Sequence, residues 1–197
     1  MSTSVRRNSK KTAYHHGDLR AALLRSASEI LEEQGVAALR LREAARRAKV
    51  SHNAPYRHFA DREALLAALA GEGFARLGQA LEAGGARGAR GRGEAYVRFA
   101  LEQPQRFRLM FGGALRLDAY PALREAAKQT YAGLVRAFEP LAGRAGAPVA
   151  AAAAWSLTHG LAQLLLDGHF AQTTRSEKER GEFVREVLGA VRLARAA

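Results

Sequence analysis

Residues 39–66 read LRLREAARRAKVSHNAPYRHFADREALL. Leu41, Ala44, Ala45 and Ala48 recur there at spacings of three and four, which places one apolar stripe on a helix from Leu41 to Ala48. Arg42, Arg46 and Arg47 fall between them, so the opposite face is cationic. The alanines are small and let a second helix approach closely. Lys49, Val50 and Ser51 form a turn, and Ser51 is a good N-cap because its hydroxyl accepts a free backbone N–H. A second short helix is expected from about His52 to Phe59. Pro55 fits only near the first turn of such a helix, which sets its start close to Ser51. Asp61 is the next N-cap and opens a third helix that carries Leu65, Leu66 and Leu69 on one side.

Two short helices joined by so tight a turn are the helix-turn-helix geometry. The N-terminal residues of its second helix lie over base edges in the major groove. His52 and Asn53 occupy that position. Asn can bond an adenine edge bidentately, and a His N–H can donate to guanine. Tyr56, Arg57, His58 and Arg62 carry donors for phosphates, contacts that fix register but read no sequence. From the pattern alone, a helical pair with a solvated basic face is equally open.

The segment VSHNAPYRHFADREALL, Val50 to Leu66, resembles the DNA-binding signature of TetR/AcrR-type transcriptional regulators. That signature runs roughly V-S-x-x-x-x-Y-x-H-F-x-x-K-x-x-L. Ser51, Tyr56, His58, Phe59 and Leu65 match it, and Arg62 keeps the charge of the usual Lys. Leu39, Arg42 and Ala45 resemble the family's preceding L-T-x-R-x-I-A segment. The resemblance implies Arg42, His52, Asn53 and Ala54 as base-reading residues, and Tyr56, His58 and Arg62 as phosphate anchors. With Ser51 and Arg57 these make up the DNA-binding candidates. Two positions depart from the pattern. Arg40 stands where Ser or Thr is usual, so a capping hydroxyl is missing. Lys49 stands where Gly is usual, and a positive backbone dihedral suits Lys less well than Gly.

Toward the N-terminus, Leu19, Leu23, Ile30 and Leu31 follow helical spacing from about Asp18 to Gln34, and Gly35 stops the helix. Its role is to back the helix-turn-helix, and Tyr14 to Ala27 resembles the first helix of a TetR subgroup. Residues 1–14 are polar and basic, either a DNA-reaching arm or a solvated tail. Toward the C-terminus, the third helix runs to about Glu82 as a connecting helix over 61–82. GGARGARGRGE, Gly84 to Glu94, is expected as a flexible basic linker or exposed loop. The domain reading is an arm at 1–14, a helix-turn-helix domain at 15–62 and a C-terminal ligand-sensing and dimerisation domain at 83–197.

The C-terminal half reads as helices throughout. Pro104, Pro121 and Pro148 each open one, and Ser176 with Glu179 forms a capping box before the last. The helix around Trp155 to Phe170 is apolar nearly all round, so it is buried on more than one side. AWSLTHGLAQLLLDG, Ala154 to Gly168, and the FRLMFG stretch resemble the C-terminal domain of a TetR subgroup marked by Trp, His and Gly, here Trp155, His159 and Gly160. Phe107, Met110, Phe111, Tyr131, Trp155 and His159 are candidates to line an inducer cavity, with plain core packing as the alternative. Leu161, Leu164, Leu165, Phe183, Val187 and Val191 are candidates for a four-helix dimer interface.

The formal net charge is +12 over 197 residues, which favours a polyanionic partner, nucleic acid first. There are no cysteines, so disulfides, thiolate zinc sites and Cys nucleophiles are excluded. No unbroken apolar run approaches the roughly 20 residues that span a bilayer, and the basic N-terminus lacks the apolar core of a secretory signal. His159 and His169 have no carboxylate at ligand spacing, and Ser156 with His159 is no nucleophile pair. The expectation is therefore an all-α cytoplasmic regulator associated with the nucleoid and not an enzyme, without metal or cofactor. It acts as a homodimer on double-stranded DNA and answers to a small-molecule effector. A nonspecific basic nucleic-acid binder and a helical carrier or enzyme are the alternatives.

Overall fold

The structure, a computed structural model, describes residues 16–190, with side chains from residue 19 onward. The basic arm, His15 and Val191 lie outside the described residues. All regular structure among the described residues is helical. Helix α1 is His16–Gln34, α2 Leu41–Arg47, α3 Arg62–Gly84, α4 Gly88–Glu102, α5 Pro104–Phe111, α6 Pro121–Leu166 and α7 Glu177–Ala190.

The head is α1, α2 and the first turns of α3. Leu23, Ile30, Leu31, Leu39, Ala44, Ala45 and Leu65 are fully buried there, and Phe59 nearly so. Burying each large side chain stabilises the fold by about 1.5–3 kcal/mol relative to leaving it exposed. Asp61 caps α3 as expected, its carboxylate accepting the Ala64 N–H at 2.8 Å. Arg40 precedes α2 without a side-chain cap, and Lys49 takes φ 57°. Both departures seen in the sequence thus appear in the backbone.

The body is built around α3, which packs on α4, α5 and α6. The Gly/Arg stretch is not a linker. A short 3-10 turn at Gly85–Arg87 leads directly into α4. Its glycines serve close packing: a Cβ on Gly84 would sit 2.5 Å from the Gly91 carbonyl oxygen, and one on Gly91 2.4 Å from that of Gly84. Helix α6 consists of two arms that meet at a corner, Gly143, where φ 68° and ψ 165° are non-helical. The second arm therefore begins ahead of Pro148, the start expected from sequence. Part of α6 is long and apolar enough to cross a membrane by length and composition, although no single apolar run suggested it. In the fold its Thr158, Leu161 and Ala162 are buried in the body. At α7 the capping box forms: Glu179 accepts the Ser176 N–H at 2.8 Å, and the Ser176 hydroxyl accepts the Glu179 N–H at 3.2 Å.

One hydrophobic core runs without interruption from Leu23 and Phe59 in the head to Leu161 and Val184 in the body. A small satellite of Phe138, Ala147 and Ala151 fills the inside of the α6 corner.

Candidate DNA-reading head and sensor cavity

The segment after α2 is a 3-10 turn over Ala54–Arg57, not the α-helix expected from His52 to Phe59. Pro55 has no N–H to return to Ser51, and the chain turns out of the element at Ala60. That leaves room for i→i+3 bonds such as His58 N–H to Pro55 O, with one i→i+4 bond from Phe59 to Pro55. The Ser51 hydroxyl still helps, accepting the Asn53 N–H at 3.3 Å.

The turn sorts its side chains cleanly. Pro55 and Phe59 point inward, and Arg20 lies 5.5 Å over the Phe59 ring. Ser51, His52, Asn53, Tyr56 and Arg57 are exposed, with Ala54 half-buried beside them. Arg42, on α2, is exposed as well. The cationic face of α2 is smaller than the sequence suggested. Arg46 bonds Glu43 through two atoms at 2.9 and 2.6 Å, and Arg47 bonds Glu33 at 2.8 and 2.7 Å. These contacts hold the Glu43 and Glu33 carboxyls below their ordinary range. Arg42, Lys49 and Arg57 keep their charge unpaired among the described residues.

Two expected phosphate anchors sit differently. The Arg62 guanidinium is given to the carbonyls of Leu39 at 2.7 Å and Val36 at 2.5 Å. It clamps the start of α3 to the segment before α2. The His58 ring leans on Phe59, and its Nε2 is enclosed without a hydrogen-bond partner among the described residues.

In the body, a cavity of about 290 Å³ opens between α3, α4, α5 and α6. Of the six candidates, Met110, Phe111, Tyr131 and Trp155 line it. Phe107 and His159 do not reach it. Phe107 is fully buried behind it, with its ring 4.9 Å from Phe111 and 5.2 Å from His159.

The residue that sequence reading missed is Tyr96 on α4. Its hydroxyl accepts the Trp155 indole N–H at 3.0 Å and lies 2.8 Å from His159 Nδ1. The Tyr96 hydroxyl is thus held between the Trp155 donor and the His159 ring. Burial pushes the His159 imidazole below its ordinary pKa and the Tyr96 phenol well above its own. The available signal was a Tyr on an apolar helix face, because a buried Tyr hydroxyl finds a partner. Trp155 and His159, four residues apart, supply two.

Helix α5 joins cavity and head. Its later residues Met110 and Phe111 line the cavity, while its first turn is held by α1. Glu32 accepts the N–H of Gln105 at 3.2 Å and of Arg106 at 3.0 Å. Arg106 itself is 0% exposed; its guanidinium donates to Leu69 O at 2.9 Å and to the Ser28 hydroxyl. Burial pulls its pKa down, yet no carboxylate forms an ion pair with it among the described residues. The close pass of α5 over α3 is possible because residue 73 is Gly, where a Cβ would meet Met110 Sδ at 2.5 Å.

Of the dimer candidates, Leu161 is a correction: it is 4% exposed and belongs to the protomer's own core. Leu164 is exposed; Leu165, Phe183 and Val187 are half-buried, with the Phe183 ring tilted against that of Phe170 at 5.0 Å.

A small helical head that presents an exposed polar turn, carried on a helical body with an apolar cavity, defines a helix-turn-helix DNA-binding regulator. The chain belongs to the TetR family. Residues 23–69 match the bacterial regulatory proteins of the tetR family, and residues 89–191 match the tetracyclin repressor-like C-terminal domain. Among solved structures, a protein of unknown function from Rhodococcus sp. RHA1 is 37% identical, with a TM-score of 0.74 over 91% of this chain and 94% of that one. The regulatory protein SCO4313 is 26% identical, with a TM-score of 0.69 over 89% and 97%. The multidrug binding protein EbrR, complexed with imidazole, shares the fold at 23% identity and a TM-score of 0.56 over 90% and 97%. No protein of curated function matches the sequence. The family consists of DNA-binding transcriptional regulators rather than enzymes.

Proposed function

We propose that this protein is a ligand-responsive repressor that binds a palindromic operator as a homodimer and leaves it when a small molecule fills the body cavity. The observation that carries the reading is the pair of α5 attachments, cavity at one end and α1 at the other. Asn53, His52, Ala54 and Arg42 read base edges; Tyr56, Arg57 and Lys49 hold phosphates. Arg62 serves the head from within by tying the start of α3 to the segment before α2. Two heads read half-sites one DNA turn apart, about 34–36 Å.

The dimer forms through the second arm of α6 with α7. Support comes from an exposed stripe of small and apolar residues on that arm: Val149, Ala152, Ala153, Ser156 and Leu164. Such a stripe on two copies meets as an isologous contact. A ligand that touches Met110 and Phe111 displaces α5, and α5 carries α1 with it through Glu32 and Arg106. The shift is only as large as the ligand's difference in affinity between the two states.

The test is selection of bound fragments from the source genome with purified protein at physiological salt. An enriched palindrome with two half-sites supports the reading. Broad recovery without a motif replaces it with nonspecific binding driven by charge. Loss of recovery on adding a cavity ligand would identify the repressor's switch.

A further inference from the structure

We propose that the cavity takes a neutral, flat aromatic molecule of two or three fused rings that carries a hydrogen-bond donor and no charge. This rests on the ligand-responsive reading above and deepens it.

Size comes first. A volume of about 290 Å³ lies at the lower edge of ordinary small-molecule sites, which run from roughly 300 to 1,000 Å³. Shape follows from the walls. Phe74, Tyr96, Phe111, Tyr131 and Trp155 line the space from four helices, and Leu and Met side chains fill most of the rest. Phe74 meets Phe111 edge-on at 5.3 Å, and Tyr131 lies 5.8 Å from Trp155. A flat ring entering between such rings completes edge-to-face and offset pairs.

Charge is decided by what is missing from the walls. No Asp, Glu, Lys, Arg or His is among the lining residues. A carboxylate would lose its hydration and find no cation. An ammonium would find aromatic faces, which attract cations. It would also find no counter-ion, inside a chain whose net charge is already +12.

Hydrogen-bond polarity is decided by where the wall protons go. Trp155 has spent its N–H on Tyr96, whose hydroxyl is held between Trp155 and His159. The Thr130 hydroxyl has one proton for two carbonyls, Phe74 O and Ala126 O, each at 2.9 Å. Tyr131 keeps a loosely held proton, 3.4 Å from Pro148 O, on a side chain that is partly exposed. The remaining capacity of Thr130, in the wall between α3 and α6, is lone pairs. A phenolic O–H or an aryl N–H is the polar group that suits it.

The experiment is isothermal titration calorimetry on the full chain at pH 7 with three probes of one ring size: 2-naphthol, 2-naphthoate and 2-naphthyltrimethylammonium. We expect 2-naphthol to bind at least tenfold more tightly than either ion. Thr130→Val should weaken 2-naphthol several-fold and leave naphthalene unchanged. Ala127→Phe, which fills the cavity, should abolish 2-naphthol binding; Leu115→Phe replaces it if circular dichroism shows that variant unfolded. Equal or tighter binding of either ion overturns the proposal. So does binding that survives the filled cavity, or no binding of 2-naphthol at all. The same preparation is put through the operator selection. Tight 2-naphthol binding without an operator removes the regulator reading and keeps this one; an operator with an ion preferred does the reverse.

Discussion

The Glu32 carboxylate, on α1, accepts the Arg106 backbone N–H at 3.0 Å, while the Arg106 side chain runs back to Ser28 one turn earlier on the same helix. Head and body are therefore joined across space by α5 as well as along the chain by α3. Pro104 leaves no N–H at the first position of α5, and Glu32 satisfies the next two. The carboxylate also faces the positive end of the helix dipole.

Glu32→Ala removes this cap from α5 and should cost about 1–2 kcal/mol of stability, a cap-sized loss. Glu32→Gln keeps an acceptor and should lose less. Urea denaturation ranks the three proteins, and Gln as damaging as Ala would mean that the charge, not the acceptor, matters.

Arg62→Ala breaks two charge-assisted bonds to the carbonyls of Leu39 and Val36. It should lower the melting temperature, with each bond worth about 1.5–3 kcal/mol at most. It should weaken operator binding without changing the salt slope. A slope reduced by about one unit would show the guanidinium on a phosphate instead.

Asn53→Ala should relax preference at one base pair, with a loss of about 1–3 kcal/mol on the preferred site. Arg57→Ala should weaken all sequences alike and lower the salt slope by about one. Competition binding over a set of operator variants separates the two, and a base-specific effect at Arg57 would mean that the turn docks in another register.

Lys49→Gly relieves a side-chain-bearing residue at φ 57°. The left-handed conformation costs about 1–2 kcal/mol for most residues, and glycine's greater freedom when unfolded returns part of it. The variant should melt slightly higher and bind DNA slightly less tightly, having lost an exposed cation. A lower melting point would show that Lys49 is unstrained.

His159 carries a pH signature. Burial lowers its folded pKa beneath the ordinary value of about 6.5. The unfolded chain then binds more protons below that value, so stability is complete above it and falls as pH drops toward the folded pKa. Melting curves from pH 7.5 to pH 5 should show this loss, and His159→Gln should flatten it.

The helix-turn-helix frame was legible because small and apolar residues at Leu41, Ala44, Ala45 and Leu65 mark one face, and Asp61 marks a start. The recognition turn was not, since His52 to Phe59 has helical composition and only Pro55 betrays the lost ladder. Gly84, Gly91 and Gly93 look like a linker in sequence, because composition does not say whether glycine confers freedom or lets two backbones meet. Here Gly84 and Gly91 meet. The cavity's aromatic wall was legible through Phe111, Tyr131 and Trp155, all in apolar helices. Phe107 and His159 were placed one layer too far forward, since spacing gives a face but not its depth. Pairing of Arg46 with Glu43 lay three residues apart in plain view; that of Arg47 with Glu33 needed the fold.

The tie between Glu32 and α5 also settles what can be exchanged between members of this fold. A hybrid that cuts α3 near its middle would place a foreign head, with its own residues at positions 28 and 32, against an α5 that expects Ser and Glu. On the proposed reading, such a hybrid would keep both binding activities and lose the coupling between them. A transplantable reader comprises residues 16–70 together with the first turn of α5, two pieces remote in sequence that make one interchangeable part.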